Sequence, residues 1–245
     1  MKASRKSKKV LITGGSRGIG AEAVREFAAE GSSVAFLYKS SSQKALELSK
    51  ATGALNIKCN VASSPSVKAA MDVANEFFED ELDVLICNAG ISDFGLFTDF
   101  DEDRWSNMIE TNLNGVYRCI REVLPGMISR KKGSIIIVSS MWGQVGASCE
   151  VPYSTAKAGL IGLTKALAKE VGPSGIRVNC ICPGLIDTDM NAEVSKEAQD
   201  VIIYDTPLSR IGKPADVVKV MKFLASDQSG FLTGQVIGVN GGLIM

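Results

Sequence analysis

Short apolar runs rich in β-branched residues alternate along the chain with longer stretches whose apolar positions recur at helical spacing. The runs fall at 9–13, 33–38, 55–60, 82–87, 134–139, 176–181 and 235–239. Most are apolar nearly throughout, as in Val84-Leu85-Ile86 and Ile135-Ile136-Ile137-Val138. A strand that is apolar on both faces belongs in a parallel sheet covered by helices on either side. The helical patterns lie between these runs, at 18–30, 42–52, 64–79, 102–130, 152–171, 190–204 and 214–226. Strand–helix alternation with right-handed crossovers predicts an α/β, doubly wound sheet of about seven parallel strands, with helices on both faces.

No linker or low-complexity stretch interrupts the pattern, so 1–245 reads as a single domain. A domain of this length buries enough surface to fold without disulfides or metal. The polar segment 190–210 reads as a flap over a site.

Composition narrows the chemistry. Acidic and basic residues balance at 27 each, which points to neither nucleic acid nor a membrane surface. Histidine is absent, which removes the commonest general base and metal ligand. A metal site is not expected, and catalysis must run on Tyr, Lys, Ser, Cys, Asp or Glu. Cys59, Cys87, Cys119, Cys149, Cys180 and Cys182 show no CxxC spacing, and several sit in apolar runs. They read as reduced thiols, which fits a cytoplasmic protein. Residues 1–8 read as a frayed basic leader. The apolar run behind it is too short for a signal peptide, and no stretch is long enough to span a bilayer.

After the first strand comes Thr13-Gly14-Gly15-Ser16-Arg17-Gly18-Ile19-Gly20. Glycines 14, 18 and 20 allow a tight turn and let backbone approach a pyrophosphate at a helix N-terminus. The strand before and the helix after supply the context that a glycine-rich turn needs. An NAD site places an acid about 20 residues past the turn to hold the ribose 2′-hydroxyl. No acid occurs between Gly31 and Leu46. Lys39 lies there instead, with Arg17 in the turn and hydroxyls at Ser40 to Ser42, a set that suits a 2′-phosphate and hence NADP(H). The competing view of Lys39 is a solvated charge at a strand end.

Tyr153 and Lys157 stand four apart in Tyr-Ser-Thr-Ala-Lys, on one face of a predicted helix. A close ammonium favours the phenolate and lowers the phenol's pKa toward useful acid/base chemistry. The pattern gains specificity from its company. Ser140 ends the fifth strand and Asn88-Ala89-Gly90 ends the fourth. Asn112 interrupts a long helical pattern, and Pro183-Gly184 follows the sixth strand with Thr188 after it.

Together these motifs resemble the short-chain dehydrogenase/reductase family from the first strand to Gly241-Gly242. The resemblance implies a Rossmann-type sheet, a nicotinamide cofactor and a catalytic tetrad of Asn112, Ser140, Tyr153 and Lys157. Ser140 would hold the substrate oxygen and Tyr153 would transfer the proton. Lys157 would bind the nicotinamide ribose and tune Tyr153, and Asn112 would hold a linking water. Cofactor contacts would come from Gly14, Ser16, Arg17, Gly18, Ile19, Gly20, Lys39, Asn60, Val61, Asn88, Ala89, Gly90, Pro183, Gly184, Ile186 and Thr188, besides Tyr153 and Lys157. Asn60 departs from the pattern, since similar sequences carry Asp there against adenine.

Two substrates stay open. Overall the chain resembles bacterial 3-oxoacyl-acyl-carrier-protein reductases, for which Arg130-Lys131-Lys132 would dock an acidic carrier protein. The loop 139–150 instead resembles reductases that finish a 5-aminopentanone modification on a lysine of elongation factor P. There Glu150 would meet an amine and Trp142 would pack on it. A non-catalytic NADP-binding regulator is a third reading, disfavoured because all four tetrad positions are filled. A second apolar face on the helix around 156–171 predicts a partner subunit, and the resemblance implies a homotetramer.

Overall fold

A computed structural model describes residues 7–192 and 194–245. The basic leader falls largely on residues 1–6, outside the described part. Lys8 is tied down, with its ammonium 3.7 Å from Asp227.

The strands are β1 Lys9–Thr13, β2 Ser33–Tyr38, β3 Leu55–Lys58, β4 Val84–Cys87, β5 Gly133–Val138, β6 Ile176–Pro183 and β7 Val236–Val239. Within the described residues they form one seven-stranded sheet in the order β3-β2-β1-β4-β5-β6-β7. Every pairing is parallel. The predicted α/β doubly wound sheet is therefore the observed fold.

The helices are α1 Gly18–Ala29, α2 Ser42–Thr52, α3 Ser64–Phe78, α4 Glu102–Ile109, α5 Gly115–Arg130, α6 Trp142–Val145, α7 Val151–Val171, α8 Lys196–Asp205 and α9 Pro214–Ala225. Two cores flank the sheet, because successive strand residues point to opposite faces. Leu11, Leu85, Ile135 and Ile137 pack with α3, α5 and α7. Val10, Ile12, Ile86 and Ile136 pack with α1, α2 and α9. The direction of winding changes between β1 and β4, and such a point opens a crevice at the carboxyl ends of the strands.

Two predicted elements differ, and one observed helix has no predicted counterpart. The pattern 102–130 is divided by a π-helical turn, Glu110–Asn114, which separates α4 from α5. The pattern 190–204 is not helical at its start: Asp189–Asn191 forms a single 3-10 turn. The helix begins only at Lys196, where the Ser195 hydroxyl accepts from Ala198 N at 3.2 Å. The four-residue α6 is too short to show a period. All six cysteines are free thiols. Among the described residues no helix is long and apolar enough to cross a membrane, and no cluster of His, Cys, Asp or Glu could hold a metal ion.

Candidate active site

The glycine-rich turn joins β1 to α1 beneath the crevice. Gly14 has φ +66°, and a Cβ there would stand 2.8 Å from Ala89 Cα. A Cβ on Gly20 would run into Gly14 O and Asn88 Nδ2. The turn therefore packs against the end of β4, with no room for side chains at Gly14 or Gly20. Asn88 braces it, donating from Nδ2 to Thr13 O and Gly14 O, each at 3.2 Å. The Thr13 hydroxyl accepts from both Asn88 N and Ala89 N.

Two clefts meet above this turn. The first is lined by Gly14, Ser16, Arg17, Gly18, Lys39, Asn60, Val61 and Ala89. The second is lined by Ser140, Tyr153, Lys157, Pro183, Gly184 and Ile186. Ile19, Asn88, Gly90, Thr188 and Met190 line both, so the two form one continuous trough. Arg17 and Lys39 are exposed at its rim. Asn60 Oδ1 accepts from Ala62 N at 3.2 Å, which leaves its Nδ2 for a ligand.

Two residues named from sequence do not line the trough. Gly20 acts through the close packing just described. Asn112 is fully buried. Its Oδ1 accepts from Ile91 N and its Nδ2 donates to Ile91 O, both at 2.9 Å. It fixes the irregular segment after Gly90 instead of facing the cleft. Gly90 leaves little space there, since a Cβ on it would lie 2.7 Å from Asn112 Oδ1 and 3.5 Å from Lys157 Nζ.

The remaining three tetrad residues converge. Ser140 sits two residues past β5, and its hydroxyl accepts from Trp142 N at 3.1 Å. Tyr153, in the first turn of α7, lies in the same cleft as Ser140, whose hydroxyl acts to lower the phenol's pKa. Lys157 follows one turn later, 4% exposed, and donates from Nζ to Val138 O at 2.9 Å. The Ser139 hydroxyl donates to Lys157 O at 2.7 Å and clamps α7 to the end of β5.

The electrostatics reverse one expectation. Burial pushes the Tyr153 phenol up to about 12, against a smaller lowering by the Ser140 hydroxyl. Burial also pulls Lys157 down to about 8, with nearby thiols opposing. A close ammonium was expected to lower the phenol. In this pocket loss of water dominates, the lowering comes from Ser140 and not from the ammonium, and Tyr153 is held as a protonated donor. Burial raises the Glu150 carboxyl in the same cleft.

Several lining residues carry no motif: Thr111, Ser92, Met141, Leu185, Asp189, Met190 and Asn191. They lie on loops and irregular turns, where periodicity gives no signal. The basic run expected to dock a carrier lies elsewhere. It ends α5 and precedes β5, at the amino edge of the sheet, with the six residues of β5 between it and Ser140's edge. Arg130 is spent on Asp80 O and Leu82 O, and Lys132 pairs with Asp83.

A glycine cradle at a switch point, joined to a tyrosine donor and a buried lysine, defines a dinucleotide-dependent oxidoreductase. Residues 14–244 match the family model described as Enoyl-(Acyl carrier protein) reductase. The chain is 41% identical over 98% of its length to 3-oxoacyl-(acyl-carrier-protein) reductase FabG of Staphylococcus aureus, covering 99% of that protein. The crystal structure of a 3-oxoacyl-(acyl-carrier protein) reductase from Brucella melitensis superposes with TM-score 0.90 at 33% identity, over 99% of this chain and 93% of that one. A mutant Serratia marcescens short-chain dehydrogenase/reductase does so with TM-score 0.90 at 32% identity, over 96% of this chain and 97% of that one. The chain belongs to the short-chain dehydrogenase/reductase family. It is an oxidoreductase acting on a CH–OH or C=O group with a nicotinamide cofactor.

Proposed function

We propose that the chain is an NADPH-dependent carbonyl reductase that converts a 3-oxoacyl thioester on acyl carrier protein to the 3-hydroxyacyl form, working as a cytoplasmic homotetramer. The observation that carries the reductase chemistry is the convergence of Ser140, Tyr153 and Lys157 at the carboxyl edge, in a trough continuous with the glycine cradle. Similarity to carrier-protein reductases over nearly the whole chain supports the substrate.

The cradle fits a dinucleotide, since the turn lines the cleft at Gly14 and Gly18, where positive φ and close neighbours exclude side chains and leave backbone at the surface. Arg17 and Lys39 would hold the 2′-phosphate, Asn60 and Val61 the adenine, and Lys157 with Thr188 the nicotinamide end. The bound cofactor supplies hydride. Ser140 and Tyr153 then hold the ketone oxygen between two hydroxyls, and Tyr153 passes its proton to that oxygen. Lys157, charged below about 8, offsets the negative charge left on the phenol. Asn112 acts as a positioning residue through Ile91 and Gly90.

Arg130, Lys131 and Lys132 lie about 20 Å along β5 from the catalytic edge. Docking on them requires a second subunit to bring them beside a cleft, so the carrier reading and the tetramer reading stand together. The outer face of α7 carries exposed Ala158, Gly162 and Ala166 one turn apart, where helices of two subunits could approach closely. A carrier-bound 3-oxoacyl substrate turned over with NADPH, by a tetramer in sedimentation, is the expected result. A monomer, or turnover of small ketones only, would refute it.

One observation favours a second reading. Glu150 lines the catalytic cleft and makes no side-chain ion pair or hydrogen bond among the described residues. A half-buried carboxylate without a partner suits a substrate bearing an amine, such as the 5-aminopentanone group on elongation factor P.

A further inference from the structure

One ion pair crosses the mouth of the cofactor cleft. Lys44, in the first turn of α2, holds Asp189 with Nζ 2.7 Å from Oδ2. The two residues are 145 positions apart in sequence. The helix α2 follows β2, and Asp189 opens the segment after β6. Asp189 itself lines the cleft, together with Arg17, Lys39, Ser40 and Ser41. Lys44 and, more weakly, the Arg17 guanidinium hold its carboxyl below the usual range. A carboxylate thus stands beside Lys44 and Arg17, in the same cleft as Lys39 and the acid-free end of β2.

The Lys44 and Asp189 side chains are 58% and 55% exposed, so their pairing is weak and exchanges partners at little cost. A phosphate monoester brings more charge and three acceptor oxygens to the same cations. We propose that Asp189 is an internal counter-anion of the 2′-phosphate subsite: it occupies Lys44 until a 2′-phosphorylated nucleotide displaces it, and Lys44 is the third cation of that subsite. The inference rests on the NADPH reading. Asp189 then opposes the phosphorylated cofactor and screens the patch when the phosphate is missing, so it sets how strongly the enzyme prefers NADPH.

The test is calorimetric binding of adenosine 2′,5′-bisphosphate and of 5′-AMP to the full chain, to Asp189→Asn, to Lys44→Ala and to the double variant. Melting curves check that each is folded. Asp189→Asn is expected to tighten the bisphosphate by about two- to fivefold, the scale of one solvent-screened ion pair, and to leave 5′-AMP unchanged. Lys44→Ala is expected to weaken the bisphosphate and to abolish most of the gain in the double variant. The gain should shrink with added salt. A parent protein that binds both nucleotides equally refutes the NADPH reading, and the inference falls with it. A parent that prefers the bisphosphate, with Asp189→Asn acting on neither nucleotide or on both alike, overturns the inference alone.

Discussion

The Lys157 ammonium lies 5.5 Å from the centre of the Tyr153 ring and donates its hydrogen bond to Val138 O at 2.9 Å. The lysine is thus anchored to the sheet, not to the phenol it accompanies. Burial shifts both groups toward their neutral forms, Lys157 to about 8 and Tyr153 to about 12.

That pair makes stability depend on pH in a defined direction. Lys157 carries a depressed pKa, so between about 8 and 10.5 the unfolded chain holds a proton that the folded chain has released. Stability therefore rises with pH through this window. Below it, the buried charge is a penalty of up to about 3 kcal/mol. Lys157→Met removes the penalty and should be the more stable protein at pH 7. Its advantage should shrink as pH climbs toward 10. Urea denaturation of both proteins at several pH values checks this, and a constant difference would count against it. Tyr153 acts with the opposite sign above pH 10, where stability falls, so measurements belong below that.

Tyr153→Phe keeps the ring and removes the proton donor. Turnover should fall at least about a hundredfold, the lower end of what positioned acid catalysis supplies. Cofactor affinity, read by fluorescence quenching, should change little. A variant that retains a tenth of parental turnover would remove Tyr153 from the mechanism.

The fold was legible because its strands are buried on both faces. Runs such as Ile135-Ile136-Ile137-Val138 admit few other placements, and the strands fall within two residues of expectation. Ser140, Tyr153 and Lys157 were legible because each sits at a fixed offset from a strand or helix end. Asn112 stands out in sequence as an unusual residue in a helical pattern, and the pattern is broken there. Its contacts, with Ile91 backbone instead of the cleft, depend on a π-helical turn that no periodicity announces. Arg130-Lys131-Lys132 stand just before the Ser140 strand, as the sequence places them. Proximity in sequence to the Ser140 strand places them at its far end, because a strand separates its two termini. The sign of the Tyr153 shift needed the burial of the pocket, which sequence does not report.

Thr111 shares that π-helical turn and offers a test of it. Its hydroxyl is buried and has no hydrogen-bond partner among the described residues. Thr111→Val keeps the branched shape and removes the unpaired group. It should stabilise the protein by about 1 kcal/mol, and raise its melting temperature by about 2–4 °C. A drop in melting temperature would show that the hydroxyl has a partner in solution.

Arg17 and Lys39 stand exposed at the cleft rim with no acid beside them on β2. Replacing both by Ala should erase most of the preference for NADPH over NADH in kcat/KM, chiefly by weakening the phosphorylated cofactor. Equal efficiency of the two cofactors with the parent protein would defeat the assignment.

The substrate turns on Glu150 and Lys131. If Glu150 recognises an amine, Glu150→Gln should weaken transition-state binding of an amino-ketone by about 1–3 kcal/mol, the scale of a hydrogen bond to a charged group. It should barely change the reduction of an acetoacetyl thioester. If the substrate rides on an acidic carrier, the pattern inverts. Lys131 is then the residue to reverse, because Arg130 and Lys132 are committed to the β4 side of the fold. Lys131→Glu should slow a carrier-bound substrate, spare a small thioester, and lose its effect in high salt, since docking charges act mainly on encounter. The burial that raises the Glu150 carboxyl adds a control. Discrimination for an amine should fade as pH falls and the carboxyl takes up its proton, earlier than for an exposed glutamate. Fast reduction of amino-ketones beside negligible reduction of carrier-bound chains would overturn the carrier reading and leave the reductase chemistry in place.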